Sequence, residues 1–299
     1  MLFAAQPLNA QFVVLPNSTN AIQVRVYTNA SPDAVHLFNT FDIDAYGEHL
    51  IQSPGVDAYN HALTNSTLHN ILVNGKGPAL AATNSMIVIE QASGTDWNYI
   101  GLDGSAAYRD QLKTYRRGIL FVAPDLFVVF DHLVAKEPAK FQMFLHPPAA
   151  AQVDPAWHDL RLNLPNATCR VHAPGTKKML RSWERVESPA DKILAHTVTM
   201  QLGPTNKLAA LDVLTVFTVY RSGENRDKDY YAFSRLVESD TAIGVRIHRN
   251  GWPTLTAFKL DPSAPSASIS GFGFKGPVAV DAFRPKQKPG PPNAGPAGP

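Results

Sequence analysis

Short apolar segments separated by turn-forming residues extend over most of the chain. Twelve of them are rich in β-branched and aromatic residues: QFVVL, IQVRVY, FDIDAY, HNILVNG, SMIVIEQA, GILFVA, LFVVFDHLV, KFQMFLH, DLRLNL, LDVLTVFTVY, AIGVRIHR and TLTAFKL. Pro, Gly, Asn and Asp residues lie between them, a pattern typical of strands and hairpins. The pattern predicts an all-β fold: a large antiparallel two-sheet β-sandwich of the supersandwich type, with little helix.

Individual segments indicate where they lie in the sandwich. FDIDAY, which starts at Phe41, alternates strictly between apolar and polar residues, so one buried and one wet face are expected. LFVVF, which starts at Leu126, is continuously apolar and is expected at the centre of a sheet with both faces covered. Pro124-Asp125 predicts a tight hairpin turn, and GKGP at Gly75 predicts a second turn rather than a phosphate-binding loop.

Helical periodicity is nearly absent. The best helical candidate runs from Asp103 to Arg117, where a short helix and an irregular loop remain alternatives. Residues 1–285 are predicted to form one β-sandwich domain. Residues 286–299 are rich in Pro and Gly and cannot bury apolar area, so they are predicted to be a disordered tail.

Charge and composition exclude several classes of function. Lys and Arg total 27 and Asp and Glu total 25, which leaves a net charge of +2. The basic residues are not clustered as nucleic-acid binding requires, so no nucleic-acid partner is expected. No apolar run reaches the roughly 18 residues of a membrane span, and the first residues lack the basic segment of a secretory signal. The single cysteine, Cys169, cannot form an internal disulfide and is expected to be a small buried residue.

Three segments carry a resemblance to a known family. Asp44 to Tyr59 contains AYGEHL followed by S-P-G and a tyrosine, Leu68 to Pro78 contains LHNILVNGKGP, and Asp103 to His146 contains YRRG, a P-D turn, VVFD and a strand ending in histidine. In order and spacing this set resembles the C-terminal β-sandwich of heparinase II/III-type polysaccharide lyases. The resemblance covers roughly residues 30–150.

The resemblance implies a chemistry and a partner. Full-length members carry an α/α toroid before the sandwich and cleave uronate-containing polysaccharides, such as glycosaminoglycans or alginate, by β-elimination in the cleft between the two parts. The residues before position 30 are too few to form a toroid, so a toroid on a separate domain or chain is the expected partner. An anionic polysaccharide or oligosaccharide is the implied ligand. Family members imply a periplasmic or extracellular location, which the sequence alone does not establish.

β-Elimination requires neutralisation of the uronate carboxylate, a base for the C5 proton and an acid for the departing oxygen. His69 is the strongest catalytic candidate because it lies in the family-like H-N motif, and Tyr59 and Arg116 are the other two. Each has a structural alternative, namely a structural histidine, a packed core tyrosine and an arginine in a strand-edge ion pair.

Three further residues are candidates for substrate binding. Asn70 lies beside the motif histidine, Arg117 opens the GILFVA strand, and His146 closes the strand KFQMFLH. A turn residue, a surface ion pair and a structural histidine are the respective alternatives. A cluster of aromatic residues near this region could stack on sugar rings, but core packing is the default interpretation: Trp97, Tyr99, Tyr108 and Tyr115.

The zinc ligands that the resemblance implies are mostly missing. The family draws them from an H-x-H-x-D segment, from the aspartate of D-P-G and from the H-N histidine. Here DAVHLFNT holds only His36, which is out of register, and Ser53 replaces the aspartate, so only His69 matches. We therefore predict no metal and no cofactor at this site. Zinc, with His36 or Asp57 as substitute ligand, is the disfavoured alternative.

Three hypotheses follow for the function. In the first, the chain is the sandwich part of a uronate-specific lyase, incomplete or weakly active alone. In the second, it is a non-catalytic carbohydrate-binding or structural sandwich, which the altered zinc segment favours. In the third, it is a truncation without an independent role.

Overall fold

The computed structural model describes residues 12–15, 22–27, 40–51, 71–78, 86–148, 150–155, 159–174, 183–187, 193–202, 206–224, 235–249 and 252–282. Every regular element in these ranges is a β-strand. In chain order they are β1 Phe12–Leu15, β2 Ile22–Tyr27, β3 Phe41–Ala45, β4 Glu48–Ile51, β5 Ile71–Val73, β6 Ile87–Gly94, β7 Trp97–Asp103, β8 Leu112–Val122, β9 Leu126–Ala139, β10 Phe141–Leu145, β11 Gln152–Pro155, β12 Asp159–Asn163, β13 Ala167–His172, β14 Trp183–Glu187, β15 Ile193–Leu202, β16 Leu208–Arg221, β17 Arg235–Glu238, β18 Ala242–Arg249, β19 Trp252–Lys259, β20 Ala267–Ile269, β21 Phe272–Phe274 and β22 Val278–Ala282. The predicted all-β fold is confirmed.

The strands form four larger sheets and one hairpin, all antiparallel. The central sheet has eight strands in the order β11-β12-β13-β16-β9-β8-β7-β6. The N-terminal sheet is β1-β2-β3-β4, the β10 sheet is β14-β15-β10-β5, the C-terminal sheet is β17-β18-β19-β22, and β20 pairs with β21. The described residues thus form more sheets than the two that the sequence predicted.

The central sheet is buried on both faces. On one face Phe127 and Val129 pack with residues of the N-terminal sheet and the β10 sheet, for example Phe41 and Met143. On the other face Leu126, Val128 and Phe130 pack against the C-terminal sheet, whose contribution includes Ile243, Val245 and Phe258. The predicted central position of LFVVF is confirmed, because alternate side chains of β9 enter two separate cores.

The predicted turns are present. Residues 123–125 join β8 to β9, with Val122 opposite Leu126, and the Val219 amide donates to the Asp125 carbonyl at 2.9 Å. At GKGP the Val73 and Lys76 backbones exchange hydrogen bonds of 2.9 and 3.0 Å. Between them Asn74 and Gly75 both have positive φ angles of 51° and 76°, as a type I′ turn requires.

The predicted wet face of FDIDAY is wrong at Asp42. Phe41, Ile43 and Ala45 are buried as expected, but Asp42 is also only 6% exposed. Arg25 of β2 lies directly opposite Asp42 and forms an ion pair with it at 3.7 Å and a second one with Asp44. Asp42 is therefore covered by a neighbouring cation rather than by water.

A buried ion pair joins β8 and β9, which are neighbouring inner strands of the central sheet. Arg117 of β8 lies opposite Asp131 of β9, and its Nε and Nη2 donate to the two carboxylate oxygens at 2.7 and 3.1 Å. Arg117 is 1% exposed, and its guanidinium lies 5.6 and 5.7 Å from the rings of Phe41 and Tyr115. Burial opposes the charged form of Arg117, but the Asp131 carboxylate outweighs it and raises the pKa of the arginine.

This pair should be strongly coupled in stability. Arg117→Met leaves the Asp131 charge buried without its cation, so we expect a loss of about 3–5 kcal/mol in the free energy of unfolding. The double substitution Arg117→Met with Asp131→Leu should cost less than the sum of the two single changes, because no buried charge remains. Urea unfolding of the four proteins measures the coupling.

Arg116→Met is the matched control on the same strand. Arg116 is partly exposed in its ion pair, so its removal should cost only about 1 kcal/mol. Additive losses from the two single changes at Arg117 and Asp131 would contradict the assigned ion pair.

Candidate functional site

Most of the candidate residues lie in segments that connect neighbouring strand ends. Ile43 of β3 lies opposite Ile51 of β4, so the start of β3 and the end of β4 lie at the same end of their hairpin. Ile71 opens β5 opposite Met143 of β10, so the start of β5 and the end of β10 also share one end. The candidates in the connecting segments lie outside the described residues: His36, Ser53, Asp57, Tyr59, His69 and Asn70.

The strand that follows the H-N motif is held by the Asp103–Arg117 segment. That segment forms turns over residues 105–111 and not a helix, so of the two predicted alternatives the loop is correct. The Tyr108 hydroxyl donates to the Ile71 carbonyl at 2.7 Å, and Gln111 Nε2 donates to the Gly77 carbonyl at 2.9 Å. The start of β5 and the chain after the Asn74-Gly75 turn are thereby both bonded to this loop. Two of the family-like segments are thus in direct contact.

The candidate at the end of β10 is in the interior. His146 directly follows Leu145 and is only 1% exposed. A substrate contact needs an accessible side chain, so the burial of His146 favours the alternative of a structural histidine.

The two neighbouring arginines of β8 lie on opposite faces of the central sheet. Arg117 is in the core pair with Asp131 and is not accessible to a polysaccharide, so its predicted substrate-binding role is not supported. Arg116 forms an ion pair with Glu90 at 3.5 Å and donates to the Leu260 carbonyl at 3.2 Å. It thereby connects the central sheet to the segment that follows β19.

A buried tyrosine completes the surroundings of Arg116. The Tyr99 hydroxyl donates to Glu90 at 3.2 Å, and its ring lies over Gly101 and Gly118, which are opposite each other on β7 and β8. A Cβ atom at Gly101 would lie 2.7 Å from the hydroxyl, so glycine leaves the room that the ring needs. Burial, with the Glu90 charge, raises the pKa of Tyr99. Arg116, Glu90 and Tyr99 therefore form a packing contact between the central sheet and the segment that follows β19.

A histidine backed by a carboxylate lies on the N-terminal sheet. His49 of β4 is directly opposite Asp44 of β3, and its Nδ1 lies 2.5 Å from Asp44 Oδ1. Asp44 also pairs with Arg25, which orients the carboxylate. The His49 side chain is 58% exposed. An imidazole oriented by a carboxylate and open to solvent is suited to general acid-base chemistry.

The sequence analysis did not predict this pair, although the Tyr46-Gly47 dipeptide indicates it. Tyr46 and Gly47 form a two-residue turn with positive φ angles of 53° and 82°. A two-residue hairpin loop pairs the residues immediately outside it, Ala45 with Glu48, and then Asp44 with His49. Recognising the Y-G dipeptide as a turn would have placed Asp44 beside His49.

Among the described residues, the other titratable groups have no arrangement that suggests a reaction centre. His132 and Asp212, opposite each other on β9 and β16, form an isolated pair at 2.7 Å. The expected burial of Cys169 is confirmed, and burial raises the pKa of its thiol, which disfavours the nucleophilic thiolate. Within the part of the chain that the structure describes, no three His, Cys, Asp or Glu side chains converge as metal ligands would.

The Asp44 carboxylate should control the ionisation of His49. Its hydrogen bond raises the pKa of His49 above the ordinary 6.5, against the opposing effect of burial. Because the folded-state pKa is raised, the stabilisation from this pair is complete below the unfolded-state value of about 6.5 and is lost as the pH rises through the folded-state value. Asp44→Asn should lower the pKa of His49 in an NMR titration. An unchanged His49 would contradict the pairing.

Comparisons with known proteins identify the fold. No family model and no curated protein matches the sequence. Solved structures do: heparinase III, the BT4657 gene product, has a TM-score of 0.64 and 14% identity, over 86% of this chain and 42% of that one. Heparan sulfate lyase HepC from Pedobacter heparinus has a TM-score of 0.65 and 11% identity, over 85% of this chain and 42% of that one.

The chain therefore spans less than half the length of the solved proteins that it resembles. At this level of identity the likeness establishes the fold and not the activity. It extends well beyond residues 30–150, where the sequence motifs lie, because it covers 86% of the chain. The chain has the fold of the matching part of heparinase III, as its motifs predict.

Proposed function

We propose that this chain is the sandwich part of a polysaccharide lyase that acts on uronate-containing polysaccharides by β-elimination, and that it is incomplete or weakly active alone. The observation that carries the proposal is the fold shared with heparinase III and with HepC, a heparan sulfate lyase, over 85–86% of this chain. The matched region is 42% of each of those proteins, which supports a requirement for a further part, such as a toroid on a separate domain or chain.

In this proposal the reacting groups come from the segment between β4 and β5. His69 and Tyr59 serve as the base and the acid, and Asn70 stabilises the charge that develops on the uronate carboxylate. His69 lies two residues before Ile71, whose carbonyl is fixed by the Tyr108 hydroxyl. A base must be held within hydrogen-bonding reach of the proton that it removes, so a fixed strand start supports this assignment.

In this proposal the remaining candidate residues have structural roles and do not contact the substrate. Arg117 and His146 are buried, and Arg116 is held by Glu90 and Leu260. The proposal includes no cofactor and no step that passes through a metal ion, since only His69 matches the family's ligand pattern.

The proposal also concerns location. We propose export to the periplasm or the extracellular space, where uronate polymers are encountered. Among the residues that the structure describes, no helix has the length and hydropathy needed to cross a membrane.

A second candidate function is a non-catalytic sandwich that binds carbohydrate or serves as a structural module. Ser53 in place of the D-P-G aspartate and the DAVHLFNT segment favour it, because both depart from the ligand pattern that the resemblance implies. A fold can persist after its site residues have changed, since packing and chemistry depend on different side chains.

An elimination assay separates the two functions. The purified chain is incubated with heparin, heparan sulfate, chondroitin sulfate and alginate, and the unsaturated uronate product is followed by ultraviolet absorbance. We expect slow product formation, and His69→Ala should reduce it by about 100-fold or more, the usual contribution of a general acid or base. The melting temperature should not change.

His132→Ala is the control for the loss of a histidine. It should leave the rate within about two-fold, because the His132–Asp212 pair is partly exposed and lies on β9 and β16, outside the segment that carries His69. Retention on a heparin or alginate column without any product would support the non-catalytic function instead. If the chain forms no product and is also not retained on either column, both functions are contradicted.

A further inference from the structure

A cleft lies on the outer side of the C-terminal sheet. Ile243 and Val245 of β18 face the central sheet, whereas Ala242, Leu255 and Ala257 pack on the opposite face with the β20–β21 hairpin. The hairpin therefore covers the face that points away from the central sheet. Beside it is a cleft of about 420 Å³ lined by Thr241, Ser266, Ala267, Ser268, Gly273, Phe274 and Lys275.

The lining combines one aromatic ring with unused polar groups. Phe274 is half-buried and stacks with Phe272 at a centroid distance of 6.4 Å, which fixes the ring. The hydroxyls of Ser266 and Ser268 and the ammonium group of Lys275 form no hydrogen bond with the described residues. The Thr241 hydroxyl, in contrast, is already bonded to the Ser268 backbone at 3.1 and 3.3 Å. The available groups are thus an apolar ring, two hydroxyls and a cation.

A buried cation contacts the backbone of the cleft-lining Lys275, and no described acid balances it. Lys259 is 6% exposed, and its Nζ donates to the carbonyls of Ala264 and Lys275, each at 2.8 Å. No described carboxylate forms an ion pair with it, and none lines the cleft. A buried cation solvated only by carbonyl dipoles favours an anion nearby, because the interior screens its charge weakly.

We propose that this cleft is a binding site for one uronate residue of an anionic oligosaccharide, separate from the segment that carries His69. The apolar face of the sugar ring packs on Phe274, the Ser266 and Ser268 hydroxyls bond to sugar hydroxyls, and Lys275 pairs with the carboxylate. Aromatic faces and charge-assisted hydrogen bonds are the groups by which such a ligand is recognised. The choice of a uronate rests on the proposed function, but the site does not depend on elimination chemistry.

Glycine 273 offers a direct test because its missing side chain leaves the cleft open. A Cβ atom there would meet only the Ala267 carbonyl oxygen, at 4.0 Å, and its φ is ordinary, so Gly273→Leu should fold normally. Gly273 lies directly opposite Ser268, so the leucine side chain should cover the Ser268 side of the cleft. Gly276→Leu is the matched control, since its Cβ would make one ordinary contact of 3.5 Å with the Val278 carbonyl oxygen outside the cleft.

The experiment follows the backbone amide NMR signals of Gly273 and Lys275 during titration with an alginate tetrasaccharide. We expect both signals to shift in the unaltered protein and in Gly276→Leu, and the Lys275 signal not to shift in Gly273→Leu. Lys275→Gln should weaken binding about five-fold, the equivalent of about 1 kcal/mol for an exposed ion pair. Phe274→Leu, which keeps the apolar volume, should weaken binding further by removal of the ring.

Neutral cellotetraose and inorganic sulfate are the ligand controls. Equal shifts with cellotetraose would show that the carboxylate is not recognised, and equal shifts with sulfate would show binding of any small anion; either result overturns the proposal. Absence of shifts with the alginate tetrasaccharide, or shifts that persist in Gly273→Leu, would also overturn it. His69→Ala should leave these shifts unchanged, so failure of this site is distinguishable from failure of the proposed lyase activity.

Discussion

The ion pair between Arg117 and Asp131 is the interaction on which the arrangement of the sheets depends. It connects β8 and β9, two neighbouring inner strands of the central sheet, and Phe41 of the N-terminal sheet packs over its cation. Two charges without access to water are tolerated only when each satisfies the other, so the register of β8 against β9 is restricted to the one that aligns them. Tyr115 adds a 3.3 Å hydrogen bond to the same carboxylate. The adjoining strands and the overlying sheet are built around this fixed point.

This interaction explains why the family-like motifs identify a fold and not an activity. YRRG provides the arginine and VVFD the aspartate, so two of the motifs meet as one structural unit. AYGEHL forms a type I′ turn, and its Glu48 accepts hydrogen bonds from the Asn166 backbone and side chain at 3.1 and 2.8 Å. Such residues are required for packing and turn geometry, and they can persist while the residues of a catalytic site are replaced. The likeness to heparinase III at 14% identity is of this kind.

The candidate chemistry is distributed over separate parts of the molecule. The H-N segment adjoins β5, which Tyr108 and Gln111 fix in place, while His49 and Asp44 form an exposed pair on the N-terminal sheet. The cleft beside Phe274 lies on the outer face of the C-terminal sheet and has the features of a binding site rather than a reaction centre. A sandwich that binds an anionic polymer at more than one place would favour long chains over short ones, since linked sites raise the effective local concentration.

The amino-acid sequence alone determined the all-β class, twelve of the strands, the central position of LFVVF and the turns at Pro124 and Gly75. It did not reveal short or polar strands such as β4 and β7, because their patterns are too brief or too mixed to show a period of two. Nor did it distinguish Arg116 from Arg117. Neighbouring side chains of a strand point to opposite faces, and only the tertiary structure decided what covers each face. For Arg117 it is a core that contains the Asp131 carboxylate, and for Arg116 it is Glu90 together with the residue that follows β19.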